Sequence, residues 1–547
     1  MAIGTSEKKD NGGTYHEVVI IGAGMTGLCQ LHYLKREGID ALVLDANSDV
    51  GGTWYNNRYP GCRFDSESYT YGFSFSKEIL DKWHWRERFS SQPENLRYTQ
   101  FVTEELNLRE NIEFDSRVKS AHFDDDNTIW NLTLENGKKI GCRYLVTGLG
   151  GLSAPTLPRI DGIDSFRGES FHTFNWPHAG VDLKGKRVGV IGSGSTGVQV
   201  ISEIADKVGQ LTVLQRRPNW CAPLKNGEIT EDEMQEIRNR YDEIFSACAA
   251  TSGGFIHAPD RRGFYNVSKE ERLELWERLY DEPGFGVWLS NFTDIFVDEE
   301  ANAEFSEFIA GKIRARVNDP KVAELLIPKD HGFGVQRVPL ETNYYEAFNR
   351  DNVKLVSLQN EQIECVTETG IKTDKDEYEL DLIVYATGFD ALTGAFDRID
   401  FRGVGGAKLT DKWANGPETY MGMFVSGFPN LITLVGPQSG SYSTNFPRAI
   451  ETCVGWATDF LVDVRNKGKT RFEATAEAEQ SWCDEATDAM SKLLLRKAKS
   501  WFNGFNSNID GHDKHQPKPY VYVGGNPRLG KRLAEVRDDD YAGVEVS

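Results

Sequence analysis

The sequence predicts an α/β fold with two Rossmann-like dinucleotide-binding domains, one inserted in the other, and a helical insertion. Three observations carry the prediction. Two glycine fingerprints, Gly22-Ala-Gly-Met-Thr-Gly27 and Gly192-Ser-Gly-Ser-Thr-Gly197, each close an apolar strand and open a helical pattern. Only the first has a carboxylate at the end of its next strand. Two apolar runs that end in Thr-Gly, at residues 144–148 and 381–388, bracket the second fingerprint.

The context of each fingerprint justifies it. Glu17-Val-Val-Ile-Ile21 and Arg187-Val-Gly-Val-Ile191 read as buried strands, and a GxGxxG between strand and helix is a strong signal. Its glycines permit a tight turn and bring backbone N–H groups to a pyrophosphate at a helix N-terminus, where the dipole favours negative charge. Gly22, Gly24 and Gly27 form one candidate cradle; Gly192, Gly194 and Gly197, with Ser195 and Thr196, form the other. Two cradles imply two dinucleotides, and hydride transfer between them is the simplest reason to hold both. Asp45, 23 residues after Gly22, is placed to accept hydrogen bonds from ribose hydroxyls. The matching position after Gly192 is Gln215, followed by Arg216 and Arg217, and guanidinium groups suit a 2′-phosphate. The first site reads as FAD or NAD and the second as NADP.

The remaining elements follow in order. Residues 1 to about 14 read as a disordered lead, and the first βαβ unit runs from His16 to about Asp49. Strands near residues 117–123 and 130–135 carry Asn136-Gly137 as a turn signal, and Pro155 and Pro158 mark a domain crossing. Polar, helix-rich sequence fills residues 223–322, and strand character returns at 353–357 and 371–379. Residues 431–436 read as one more central strand, followed by helical patterns over 449–464 and 474–498. The expected division is a first domain from 1–150 and 387–547, a second from 151–220 and 329–386, and a helical insertion at 221–328.

Composition narrows the class. A net charge of −21 argues against nucleic acid or an anionic membrane as partner, so the arginine pairs are local features. No apolar run approaches the length of a membrane span, and the N-terminus lacks a secretory signal's apolar core. The eight cysteines form no CxxC and no metal spacing, which argues against a redox disulfide, a zinc site and a disulfide reductase; reduced thiols suit the cytoplasm.

Phe166, Gly168, His172, Trp176 and Pro177 complete the pattern FxGxxxHxxxWP, and Gly51, Gly52, Trp54, Tyr59, Pro60, Gly61 and Asp65 a second one. On these motifs the chain resembles the type I Baeyer–Villiger monooxygenases over nearly its full length. The resemblance implies a cytoplasmic, FAD-containing, NADPH-dependent enzyme. It would insert one atom of O2 into a ketone to give an ester or lactone, by way of a C4a-peroxide of the flavin. It also implies a small-molecule partner only, a monomer or homodimer, and similarity to members acting on bulky cyclic ketones. Oxygenation at sulfur or nitrogen is the alternative within that chemistry, and a non-catalytic redox sensor the alternative outside it.

By that resemblance, Arg337 is the active-site cation and Asp65 the carboxylate that orients it; arginine suits because it stays charged when desolvated. Gly52, Thr53 and Trp54 join the first cofactor site, and Lys329 and Trp501 the second. His172 has no nucleophile or metal ligand near it in sequence, so it and its motif are expected to act conformationally. Ser441, Tyr442, Ser443 and Asn445, after a central strand, are expected to face the substrate. Three positions depart from the family. Gln336 replaces a lysine that contacts the 2′-phosphate, Asn56 replaces a common Trp, and Asp45 replaces Glu. The first implies a weaker NADPH preference, for which Arg217, an extra cation beside Arg216, is placed to compensate.

Overall fold

The structure, a computed structural model, describes residues 14–440, 444–513 and 518–547. The chain begins with β1 (Thr14–Ile21), β2 (Ala41–Leu44), β3 (Ile112–Glu113), β4 (Val118–Asp124), β5 (Ile129–Leu134) and β6 (Lys139–Thr147). It then lays down β7 (Glu169–His172), β8 (Arg187–Ile191), β9 (Gln210–Gln215) and β10 (Ala222–Pro223). After a run of helices come β11 (Leu340–Glu341), β12 (Val353–Ser357), β13 (Ile363–Val366), β14 (Gly370–Thr373), β15 (Glu377–Glu379), β16 (Leu382–Tyr385), β17 (Asp400–Arg402) and β18 (Leu431–Thr433).

These strands form two principal sheets. The first runs β17-β4-β5-β6-β1-β2-β3, with β18 also paired to β6; the second runs β12-β9-β8-β16-β7. All pairings in the second sheet are parallel, and β1 is parallel to both of its neighbours in the first. Each fingerprint strand is therefore interior. Ile21 at the end of β1 pairs with Thr147, and Ile191 at the end of β8 pairs with Tyr385. Both Thr-Gly runs thus end against a fingerprint turn. Asn136-Gly137 turns β5 into β6, making β4-β5-β6 an antiparallel meander.

The helices after the fingerprints, Met25–Arg36 and Ser195–Ile204, start at Gly24 and Gly194 without a side-chain cap. Their first-turn N–H groups are left for a ligand. The region expected to be helical is so. Thr230 and Ser268 close capping boxes on Glu231–Asn239 and Lys269–Asp281, and Asp298 caps Glu299–Arg316. Trp276, Phe305 and Ile309 are fully buried within it.

Three elements differ from expectation. The strand at 431–436 stops at Thr433, because Val435 takes φ +54°, a conformation costly for a β-branched residue. The strand at 371–379 is two short strands of a separate antiparallel sheet with β13. The helical pattern over 474–498 is a strand at Phe472–Ala474, the helix Ala476–Ser491 and a 3-10 turn at Leu494–Lys497. Among the described residues, no helix is long and apolar enough to cross a membrane.

Candidate functional site

At the first turn, Gly22 takes φ +109° and its N–H donates to the Leu44 carbonyl at 2.8 Å. A Cβ there would lie 2.6 Å from the Gly148 carbonyl oxygen, and one on Gly27 would lie 1.8 Å from the Gly22 oxygen. Only glycine fits at either position. The second turn repeats the solution: Gly192 has φ +108°, with a Cβ 2.4 Å from the Ala386 oxygen, and Gly197 would meet the Gly192 oxygen at 2.2 Å. The middle glycines differ. Gly24 abuts Gly52, whose own Cβ would lie 2.9 Å from the Gly24 Cα, whereas Gly194 is exposed with nothing within 4 Å of its Cβ. Both turns keep a side-chain-free approach to an uncapped helix end, which fits a dinucleotide pyrophosphate.

The residues that end the next strands also differ. Asp45 is buried, and its oxygens accept from the Ala23 and Asn47 N–H groups at 2.6 and 2.7 Å. Burial raises its pKa while those N–H groups pull it down. It holds the turn closed, and its remaining lone pairs are what a ribose could use. Gln215 is buried too, donating to the Leu325 carbonyl at 2.7 Å while its Oε1 has no partner among the described residues. Beyond it, the Ser193 hydroxyl donates to the Arg217 carbonyl at 2.9 Å, fastening the arginine pair to the second turn. Arg216 contacts the Ser507 hydroxyl, Arg217 reaches Asp330 at 3.5 Å with its guanidinium 5.4 Å from the Phe505 ring, and Lys329 pairs with Glu324 at 2.7 Å.

Arg337 and Asp65, 272 residues apart, form a bidentate pair at 2.9 and 2.6 Å. The Asp65 side chain is 7% exposed and that of Arg337 28% exposed, so the carboxylate is sealed in while the arginine side chain stays partly accessible. Burial works against the arginine's charge, but the Asp65 charge and hydrogen bonds outweigh it, and its pKa lies above the ordinary value. The guanidinium also lies 5.5 Å from the Phe285 ring centre. Phe285 comes from the helical insertion, so three separate stretches of chain meet here.

The second motif explains itself in packing. Trp54 is buried, donates to the Tyr71 hydroxyl at 3.0 Å and meets Phe64 edge-on, while Thr53 is exposed. A Cβ on Gly61 would lie 2.5 Å from the Gln199 carbonyl, and the Tyr59 hydroxyl donates to Gln199 Oε1 at 2.9 Å. Tyr59-Pro60-Gly61 therefore docks the first domain onto the second fingerprint helix. Sequence reasoning missed Gln199, Phe285 and Asp330; none lies in a motif, and each is recruited by tertiary contact.

In the FxGxxxHxxxWP motif, Gly168 lets the Phe166 ring and the Asp381 carbonyl close to within 2.6 and 2.7 Å of its absent Cβ. Trp176 is buried edge-on to Phe171 at 4.9 Å, and the Pro177 carbonyl accepts from Gly180 N–H at 3.0 Å. His172 Nε2 donates to the Gly388 carbonyl at 3.0 Å, and its Nδ1 accepts from Phe174 N–H at 3.1 Å. Burial lowers its pKa to about 4, against the Gly388 bond. A neutral ring with both nitrogens committed to backbone is a brace between β7 and the residues after β16.

Trp501 is half-buried, edge-on to Phe502 at 4.3 Å. Asn445 is fully buried, and its amide donates to the Thr70 hydroxyl at 3.0 Å and the Thr70 carbonyl at 3.3 Å. These bonds tie the residue before helix Phe446–Asn466 to Thr70. Ser441, Tyr442 and Ser443 lie outside the described residues.

The chain has relatives along nearly its whole length. A family model described as pyridine nucleotide-disulphide oxidoreductase matches residues 19–251, which span both fingerprints. A 2-oxo-Delta(3)-4,5,5-trimethylcyclopentenylacetyl-CoA monooxygenase of Pseudomonas putida is 44% identical over 97% of this chain and 98% of its own. An acetone monooxygenase (methyl acetate-forming) of Gordonia sp. (strain TY-5) is 39% identical over 97% of this chain and 99% of its own. A solved structure of OTEMO in complex with FAD and NADP superposes with a TM-score of 0.94 at 44% identity, covering 98% of this chain and all of that one. The two-dinucleotide fold and the full-length identity place the chain in the monooxygenase branch of these flavoproteins. It belongs to the Baeyer–Villiger monooxygenase family.

Proposed function

We propose that this protein converts ketones to esters or lactones with NADPH and O2, holding FAD on the first fingerprint and NADPH on the second. The observation that carries the reading is the Asp65–Arg337 pair: a permanently charged guanidinium on a partly accessible side chain, anchored by a sealed carboxylate. FAD, reduced by NADPH, supplies the oxygen-activating chemistry when bound. Arg337 then presents a fixed positive charge where negative charge grows on the ketone oxygen, at no cost in reorganisation. Asp65 fixes the fork's direction, and His172, neutral at pH 7, moves no proton. Gly22, Gly24, Gly27, Gly52 and Asp45 are the first site's cradle; Gly192, Gly194, Ser195, Thr196 and Gly197 are the second's, with Arg216 and Arg217 placed to receive the 2′-phosphate. The relative named for a trimethylcyclopentenyl substrate supports a substituted cyclic ketone. Eight free thiols, six of them buried, support a reducing compartment such as the cytoplasm.

Arg337→Ala tests the reading. The variant should bind FAD and NADPH and be reduced, yet ester formation should fall by about 100-fold or more, as for the loss of an oxyanion-stabilising group. NADPH oxidation should then yield hydrogen peroxide. Arg337→Lys should restore little, because an ammonium lacks the planar fork. Ester formation near the wild-type rate by Arg337→Ala would refute the assignment.

A further inference from the structure

Three cations stand near the end of β9, and they are not equally available. Lys329 is matched by Glu324 at 2.7 Å and Arg217 by Asp330 at 3.5 Å, while Arg216 meets only the neutral Ser507 hydroxyl among the described residues. Gln336, where the family has a cation, is neutral and reaches the Lys499 carbonyl at 3.4 Å. The extra charge that Arg217 brings is therefore opposed by a carboxylate already in place.

Asp330 does not depend on Arg217 for its position. Its Oδ1 is 2.7 Å from Nδ1 of His331, whose side chain is 5% exposed. The His331 carbonyl in turn accepts from the buried Trp220 indole at 2.9 Å. Arg217, for its part, is placed by the Phe505 ring and by the Ser193 hydroxyl that donates to its carbonyl. The single 3.5 Å contact between them orients neither group, so it is a charge contact rather than a brace. An incoming phosphate and the fixed carboxylate compete for the same guanidinium.

We propose that Asp330 sets cofactor selectivity by holding down the charge of Arg217, so that removing its charge strengthens binding of the 2′-phosphorylated cofactor and not of its unphosphorylated analogue. The inference rests on the proposed reading of Arg217 as a phosphate contact, and it gives the acid a sign opposite to that of Asp65. Asp65 supports its arginine through two hydrogen bonds in a sealed setting; Asp330, half-exposed and joined to Arg217 by one 3.5 Å contact, only neutralises.

The test is a thermodynamic cycle on the FAD-loaded protein without ketone. Dissociation constants for NADP+ and NAD+ are measured by calorimetry for the wild type, Asp330→Asn, Arg217→Ala and the double variant. Asp330→Ser serves as a second neutral variant should the first fold poorly. Asp330→Asn should tighten NADP+ about 2- to 5-fold, the range of a partly exposed ion pair, and leave NAD+ unchanged. In the Arg217→Ala background the gain should vanish. Unchanged or weaker NADP+ binding by Asp330→Asn overturns the inference while Arg217→Ala still reports on its own reading. If Arg217→Ala binds NADP+ as well as the wild type does, that reading fails first and the inference with it. A gain that persists without Arg217 means that Asp330 repels the phosphate directly, which also overturns the proposal.

Discussion

The two fingerprints share one backbone solution and differ in what covers it. In both, the first glycine lies against the carbonyl of a neighbouring strand's end and the third against the oxygen of the first. The first turn is then roofed: Gly51 N–H donates to the Ala23 carbonyl at 3.1 Å, and Gly52 sits on Gly24. Ala23, Met25 and Thr26 are buried. The second turn is open at Gly194, with Ser195 and Thr196 only half-buried. A ligand on a roofed turn stays, and one on an open turn exchanges. That difference is what the proposed chemistry needs from a resident flavin and a nicotinamide cofactor consumed in each cycle.

The comparison is broken most severely at the middle glycines. Gly24→Val puts methyl groups against the Gly52 backbone, which has no side chain to yield, so the protein should purify without flavin colour. Gly194→Val enters open space, so it should remain yellow with unchanged FAD content and fail only in NADP+ binding. Absorbance and NADP+ titration of both variants decide the matter. A yellow Gly24→Val protein at full occupancy would mean that the roof does not retain the flavin.

Much of this asymmetry was legible in the sequence. The glycine spacing, Asp45 against Gln215, and the two Thr-Gly runs gave both sheets and their nesting, because each reflects local backbone geometry. The Asp65–Arg337 pair was legible only through motif resemblance, since 272 residues separate its members. What stayed hidden depends on tertiary approach. Gln199 is one of several polar residues on its helix, and Asp330 one of many acids in a chain of net charge −21. Val435 ends its strand early although it continues an apolar run, because a turn requiring φ +54° overrides β propensity. Asn445 reads as a loop polar residue, and only tertiary contact shows that its amide is tied to Thr70.

The halves differ in titration as well, and acid sharpens that contrast. Beside the first turn, Gly148 is held by its own N–H to the Ile21 carbonyl at 2.8 Å. Beside the second, Gly388 is held by the His172 ring, whose folded pKa is lowered from 6.5 to about 4. The unfolded chain takes up a proton there before the folded one does. Stability is therefore full above pH 6.5 and is lost as pH falls toward 4, by about 3 kcal/mol from this residue. His172→Gln removes the titration. It should be less stable at pH 7 yet lose less between pH 7 and 4, as read from thermal midpoints. A parallel decline in both proteins would show that His172 becomes protonated without cost in the folded state.

The smallest expected effect concerns the tie between the halves. Tyr59 follows the roof of the first turn and Gln199 lies on the helix of the second; the hydroxyl donates to Gln199 Oε1 at 2.9 Å, and the Gln199 amide continues to the Arg63 carbonyl at 3.0 Å. Tyr59 is buried, so Tyr59→Phe keeps the packing and deletes one donor. A net loss of about 1 kcal/mol follows for a buried neutral hydrogen bond. In a chain of this size that is a fall in thermal midpoint of roughly 1–2 °C, with FAD content unchanged. Gln199→Leu should cost more, because it also abandons the Arg63 carbonyl. The double variant should fall short of the sum of the two single losses, since each removes the same contact. Strict additivity would mean that the two residues stabilise their own domains separately, and that close packing at Gly61 alone holds the two fingerprints together.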